Sequence, residues 1–343
     1  MVLIGSALAA ILSLAPDSQT VRVVAFGSDN EQDKPQEIWS GILAAQPDVF
    51  LFAGDNVFVD SPDPDAYRRA YAKLGAKPGF QAIRSRAKTL AIWDDHDYGE
   101  NDAGADYPAR EEAKAAFLEF FEIPRSSPRW SRPGLYDAAS FGGAPRRLQV
   151  VLLDTRSFRD PLRAKPPDLP HGLDVYAPHE DASTTLLGEA QWLWLEERLR
   201  EPADLRLIVS SVQVLPVDHR YESWSNFPHE RRRLLDLIAR TGANGVVFLS
   251  GDRNLAEISR LKDGGYPLYE VTSSPMTQLF PPTGGSWSEE PNRHRVSDGN
   301  FRYPNFGVVT IDWEERTVVL EIRDQVNRTV FTANVALDEL RAP

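Results

Sequence analysis

The chain has 343 residues, with 38 Lys and Arg against 50 Asp and Glu, a formal charge of -12 and no Cys. Its 42% hydrophobic content, 26 Pro and 22 Gly are ordinary for a globular protein and exclude collagen, coiled coil and disorder. Without Cys there is no disulfide, thiolate metal site or Cys nucleophile, and the acidic balance argues against a nucleic-acid backbone as partner.

Val2 to Ala15 is apolar but shorter than the ~20 residues of a membrane span. Residues 1–20 read as a signal-like or N-terminal apolar segment, without a basic flank, and residues 21–343 as a single domain. The expectation is an exported protein, a plain N-terminal helix being the alternative. No other stretch is apolar and long enough to span a membrane.

Strands are predicted at Val21–Phe26, Val49–Phe52, Lys88–Trp93, Leu148–Leu153, Leu205–Ser210 and Gly245–Leu249. Helices are predicted at Pro35–Ala45, where Pro35 can occupy the first turn, and at Arg110–Phe121, Gly188–Arg200 and Pro228–Arg240. Four further strands follow, at Pro267–Thr272, Gly307–Asp312, Val318–Arg323 and Thr329–Asn334. The alternation implies βαβ units with parallel strands, and the strand-rich tail implies added antiparallel ones. Asp160–Thr185 and Thr277–Pro304 read as long loops of the kind that cover functional sites.

The strands end in acids and amides: Asp29, Asp55 with Asn56, Asp94-Asp95-His96-Asp97, Asp154, and Asp252 with Asn254. Ligands of open α/β sheets bind at these carboxyl ends. One such Asp is ordinarily a cap or turn former. Several gathered together repel one another unless a cation lies between them, and one or two divalent metal ions are the simplest remedy. Asp55, in the middle, is the natural bridging ligand. Arg156 either clamps a phosphate oxygen or forms a buried ion pair.

Phe26-Gly27-Ser28-Asp29-Asn30, Phe52-Ala53-Gly54-Asp55-Asn56, Trp93-Asp94-Asp95-His96-Asp97-Tyr98-Gly99, Leu153-Asp154-Thr155-Arg156 and Phe248-Leu249-Ser250-Gly251-Asp252-Arg253 run in order along nearly the whole chain. In this the sequence resembles the alkaline phosphatase D family of metallophosphatases, within the calcineurin-like superfamily. The resemblance implies a four-layer α/β/β/α sandwich of two mixed β-sheets. It also implies hydrolysis of small phosphomonoester or phosphodiester substrates by a metal-activated water. Asp29, Asp55, Asp95, Asp252 and Asn254 take the metal-ligand positions, and His96 that of the histidine near the leaving group. Asp97 is its expected orienting partner; Asn56 and Arg156 are expected to bind substrate.

Three positions depart from the family: Asp29 stands where Cys is usual, Phe58 where Tyr is usual, and Asn254 where His is usual. The ligands left are all oxygen donors, which suit Ca²⁺, Mg²⁺ or Mn²⁺ rather than Fe³⁺ or Zn²⁺ and imply an alkaline pH optimum. The same departures admit a second expectation, a degenerate member that binds a phosphorylated ligand with little or no turnover. A third is an apolar pocket for phosphotriesters or phospholipid head groups, built from Trp287, Phe301 and Tyr303.

Overall fold

The computed structural model describes residues 19–164, 176–219, 221–262, 265–277 and 290–341. The apolar stretch before residue 19, His171 and Trp287 lie outside the described residues. In β2 (Val49–Ala53), Val49, Leu51 and Ala53 pack into one apolar layer while Phe50 and Phe52 pack into another. A strand alternates its side chains between faces, so this one is covered on both sides.

The first sheet contains β1 (Val23–Gly27), β2, β3 (Lys88–Ile92), β10 (Asn305–Asp312), β11 (Thr317–Asp324) and β12 (Thr329–Ala336), in the order β12-β11-β10-β1-β2-β3. β1, β2 and β3 are parallel and the tail strands antiparallel. The second contains β4 (Asp137–Phe141), β5 (Leu148–Leu152), β6 (Leu205–Val209), β7 (Val246–Ser250), β8 (Glu257–Leu261) and β9 (Leu268–Thr272), in the order β4-β5-β6-β7-β9-β8. Its four central strands are parallel, with antiparallel edges. Leu268–Thr272 pairs antiparallel with β8, as the strand-rich tail implies, and also parallel with β7, which extends the parallel run.

The outer face of the first sheet is covered by α1 (Ile38–Ala44), α2 (Pro64–Gly75), α3 (Pro78–Arg84) and α5 (Arg110–Phe120). Aromatic packing dominates there: Trp39 lies 5.5 Å from Phe50 and 5.6 Å from Phe80 between ring centroids. α6 (Gly188–Arg200) and α7 (Pro228–Thr241) cover the second sheet, and α4 (Asp95–Tyr98) is a single turn after β3. The result is the four-layer α/β/β/α sandwich. The sequence reading omitted α2 and α3, although Asp63 caps α2 by accepting from Asp65 N and Pro64 opens it.

The strand ends of the two sheets touch. Gly54, after β2, adopts φ +105°, and a Cβ there would lie 2.6 Å from Asp94 Cβ and 3.0 Å from Ser211 Cβ. Gly251, after β7, faces Ser28, whose Oγ would lie 2.4 Å from an added Cβ. Gly54→Ala is therefore expected to cost about 2–4 kcal/mol in urea unfolding, through strain and overlap together. Gly143→Ala, with nothing within 4 Å, should change stability little.

Candidate metal centre

Four of the expected ligands share an unusual backbone. Asp29, Asp55, Asp252 and Asn254 have φ of 57°, 49°, 66° and 51°, in the left-handed region. Asp and Asn enter that region far more readily than branched or bulky residues. A strand that ends in one such residue reverses sharply at its carboxyl end. Asn30 N–H donates to Asp55 O at 2.8 Å, so the turns after β1 and β2 are themselves bonded.

Oxygens of Asp55, Asp94, Asp95 and Asp252 all lie within 4.8 Å of one another, and Asp55, Asp95 and His96 form an overlapping group. Asp29 stands beside them. Its Oδ2 accepts from Ser28 Oγ and Ser274 Oγ, both at 2.6 Å. Ser274 Oγ also accepts from Asn254 N at 2.8 Å, which ties Asn254 to the same wall. Asp55 Oδ1 accepts from His96 N at 3.1 Å, and Asp95 Oδ2 accepts from Asp102 N at 2.8 Å.

Asp29, Asp55, Asp94 and Asp95 are almost wholly buried, and Asp252 is partly exposed. Burial raises the pKa of Asp29, and burial with the charges of Asp95, Asp94 and Asp29 raises that of Asp55 well above the carboxylate range. Asp94 and Asp252 are also raised by burial. Asp95 is the exception. Burial pushes it up, but Arg156 and His96 outweigh that and bring it to about 2. For His96, burial acts downward, while Asp95 and Asp60 lift it to about 9.

These residues fit a divalent cation. Among the described residues Asp29, Asp55 and Asp252 take part in no ion pair, whereas Asp94 and Asp95 face Arg156. Buried Asp94 Oδ2, Asp95 Oδ1 and Asn254 Oδ1 accept no hydrogen bond. Orphaned buried acceptors are rare, and several beside one group of carboxylates point to a missing positive partner. Phe58 offers no donor atom; its ring stacks on His96 instead.

Three sequence expectations are corrected. Asp97 does not orient His96: it accepts from Asp94 N at 2.6 Å and from the Asn56 amide, closing the one-turn α4. The His96 ring instead meets Asp60, Nδ1 to Oδ1 at 2.7 Å. Asn56 is fully buried, and its amide nitrogen is spent on Asp97 and on Ile92 O, so no donor remains for a phosphate. Arg156 is fully buried as well, its Nε bonded to Asp94 and its Nη1 2.8 Å from Glu222 Oε2. Of the two roles left open for it, the buried ion pair is the one observed. Asp154 also stays apart, accepting from Trp93 Nε1, Leu135 N, Arg156 N and Ser157.

The sequence placed Asp94 among the gathered strand-end acids but not among the metal ligands, and the structure puts it within the carboxylate group. The sequence reading missed Asp60, Asp102 and Glu222. Asp95, Asp102 and Glu222 form a further acidic group, balanced by Arg156 and by Arg159, whose Nε lies 3.1 Å from Glu222. Glu222 sits in a loop with no periodic or motif signal.

Removing Arg156 leaves buried Asp94 without its cation and Glu222 with Arg159 alone, so Arg156→Ala is expected to cost about 3–5 kcal/mol in chemical denaturation. The pH dependence of the metal-free protein has a definite sign. Acids with raised folded pKa bind protons more tightly folded than unfolded, so stability falls as pH rises from the unfolded 3.8 toward the folded value, about 7 for Asp97 and about 8 for Asp102. His96 acts in the same direction, its contribution fading as pH passes through about 9. Asp95 opposes them; its contribution is present above the unfolded 3.8 and fades as pH falls through about 2. Added Ca²⁺ or Mg²⁺ should therefore raise Tm more at about pH 8 than at about pH 5 in a thermal-shift measurement. Equal rises would contradict the cluster as the binding site.

Alkaline phosphatase D of Bacillus subtilis (strain 168) is 25% identical over 229 residues, 61% of this chain and 37% of that protein, so the match spans little more than a third of the relative's length. A solved structure of PhoD superposes with a TM-score of 0.75 at 18% identity, covering 96% of this chain and 72% of that one. A crystal structure of a dimetal phosphatase from Danio rerio superposes with a TM-score of 0.54 at 14% identity, covering 93% of this chain and 100% of that one. These structures share the fold. With the sandwich and the acidic strand ends in place, and with the PhoD-like phosphatase family matching residues 24–322, the chain belongs to that family.

Proposed function

We propose that the chain is a metal-dependent hydrolase of small phosphoric esters, acting by in-line attack of water on phosphorus. The observation that carries this reading is the group of four carboxylates within 4.8 Å, three of them buried, at the strand ends of a chain of the PhoD-like phosphatase family. Asp29, Asp55, Asp95, Asp252 and Asn254 would hold the ions, two of them in this reading, with Asp55 shared and Asp94 beside them on Arg156. Bound divalent ions supply positive charge for the phosphoryl oxygens and lower the pKa of water. An all-oxygen ligand set favours Ca²⁺, Mg²⁺ or Mn²⁺ over Fe³⁺ or Zn²⁺.

His96 is the proton donor in this reading. It lies beside Asp55 and Asp95, is partly exposed, and holds its proton up to about pH 9 in the metal-free protein. Arg156 acts indirectly, by fixing Asp94 and drawing Asp95 into its ionised form. No helix among the described residues is long and apolar enough to cross a membrane. Export, on the apolar Val2–Ala15, belongs to the proposal and is tested by cell fractionation.

One observation favours the second reading, a binder with little turnover: the expected phosphate contacts of Asn56 and Arg156 are both taken up within the protein. Assays of p-nitrophenyl phosphate and bis-p-nitrophenyl phosphate across a metal series separate the two. The hydrolase reading expects activity with Ca²⁺, Mg²⁺ or Mn²⁺, at least ~100-fold lower in Asp55→Asn. Inactivity with every metal would favour the binder. Stoichiometric iron in protein purified without added metal would overturn the metal preference.

A further inference from the structure

Residues 58–60 grip His96 from three sides. The Phe58 ring stacks on the imidazole, centroids 4.1 Å apart and planes at 24°. Val59 N donates to His96 O at 3.0 Å. Asp60 Oδ1 lies 2.7 Å from His96 Nδ1. This segment is itself anchored: buried Gln32 accepts from Phe58 N at 2.8 Å and donates to Phe58 O at 2.9 Å. Asp60 holds a left-handed φ of 44°, a conformation that Asp tolerates.

An imidazole has two nitrogens, and a half-turn about its bond to Cβ puts a carbon where each nitrogen stood. A carboxylate on Nδ1 fixes which one faces the reaction, and a stacked ring limits tilt. We propose that Phe58 and Asp60 are positioning residues that hold His96 with Nδ1–H on Asp60 and Nε2–H toward the leaving group. The inference rests on the reading of His96 as proton donor. As the phosphorus–oxygen bond breaks, its electron pair stays on the departing oxygen, which takes the Nε2 proton; Nδ1–H remains on Asp60. Phe58 thus has a task of its own at a position that provides no metal ligand.

The test combines a leaving-group series with spectroscopy on the full chain supplied with diamagnetic Ca²⁺. Asp60→Ala should lower kcat about 10–100-fold for phenyl esters but within about threefold for p-nitrophenyl esters, whose leaving group needs little protonation, with KM unchanged. Asp60→Asn retains an acceptor and should recover most of the loss. Phe58→Leu should show the same selectivity in weaker form. A downfield Nδ1 proton correlated with ¹⁵N in His96 should be present in the native protein and lost in Asp60→Ala. Uniform loss across the series, or a His96 spectrum unchanged by Asp60→Ala, overturns the positioning role. Equal losses for His96→Ala on all esters would overturn the proton-donor reading instead, and the spectrum would still decide whether Asp60 holds the ring.

Discussion

Mutual repulsion among buried carboxylates governs this molecule. Asp29, Asp55, Asp94 and Asp95 follow strands of the first sheet and Asp252 a strand of the second, and the fold brings their charges together with all but Asp252 buried. Bare, such a group favours bound protons. A divalent ion offers a better balance, and the close strand-end contacts at Gly54 and Gly251 hold the two halves of the ligand set in register.

The electrostatics divide into two tiers. On the inner side Arg156 and Arg159 balance Asp94 and Glu222 in a buried network. On the outer side Asp29, Asp55 and Asp252 lack such partners among the described residues. The inner tier explains why Arg156 is unavailable to a substrate: freeing its guanidinium would strand buried Asp94 and leave Glu222 to Arg159 alone. Arg156 and His96 hold Asp95 ionised, whereas burial raises Asp94 despite its own contact with Arg156. Neighbouring residues in one motif thus perform different electrostatic work.

The strand ends were legible because apolar β-branched runs stop abruptly at Gly-Asp or Asp-Asp, and a parallel sheet gathers such ends along one rim. The α2 helix was legible in principle from Asp63, Pro64 and the helical spacing of Tyr67, Ala70, Tyr71 and Leu74, set among charged residues. What the sequence could not reveal was pairing across long separations. The Arg156 partners, Asp94 and Glu222, lie 62 and 66 residues away, and only tertiary packing chooses between a phosphate and a carboxylate for that side chain. His96 shows the same limit. Asp97 was its nearest acidic neighbour on one side in sequence, yet the short α4 turns that side chain inward, and Asp60 reaches the ring from another loop.

The left-handed turns at Asp29, Asp55, Asp252 and Asn254 restrict the residues that each position accepts with little strain. Asp, Asn and Gly are the natural occupants, and an exchange of acid for amide alters formal charge by one while keeping the oxygen and the bend. The scaffold therefore lets selection retune cation preference in unit steps of charge, without rebuilding the loops, while bulky or β-branched newcomers meet a conformational barrier before any question of chemistry arises.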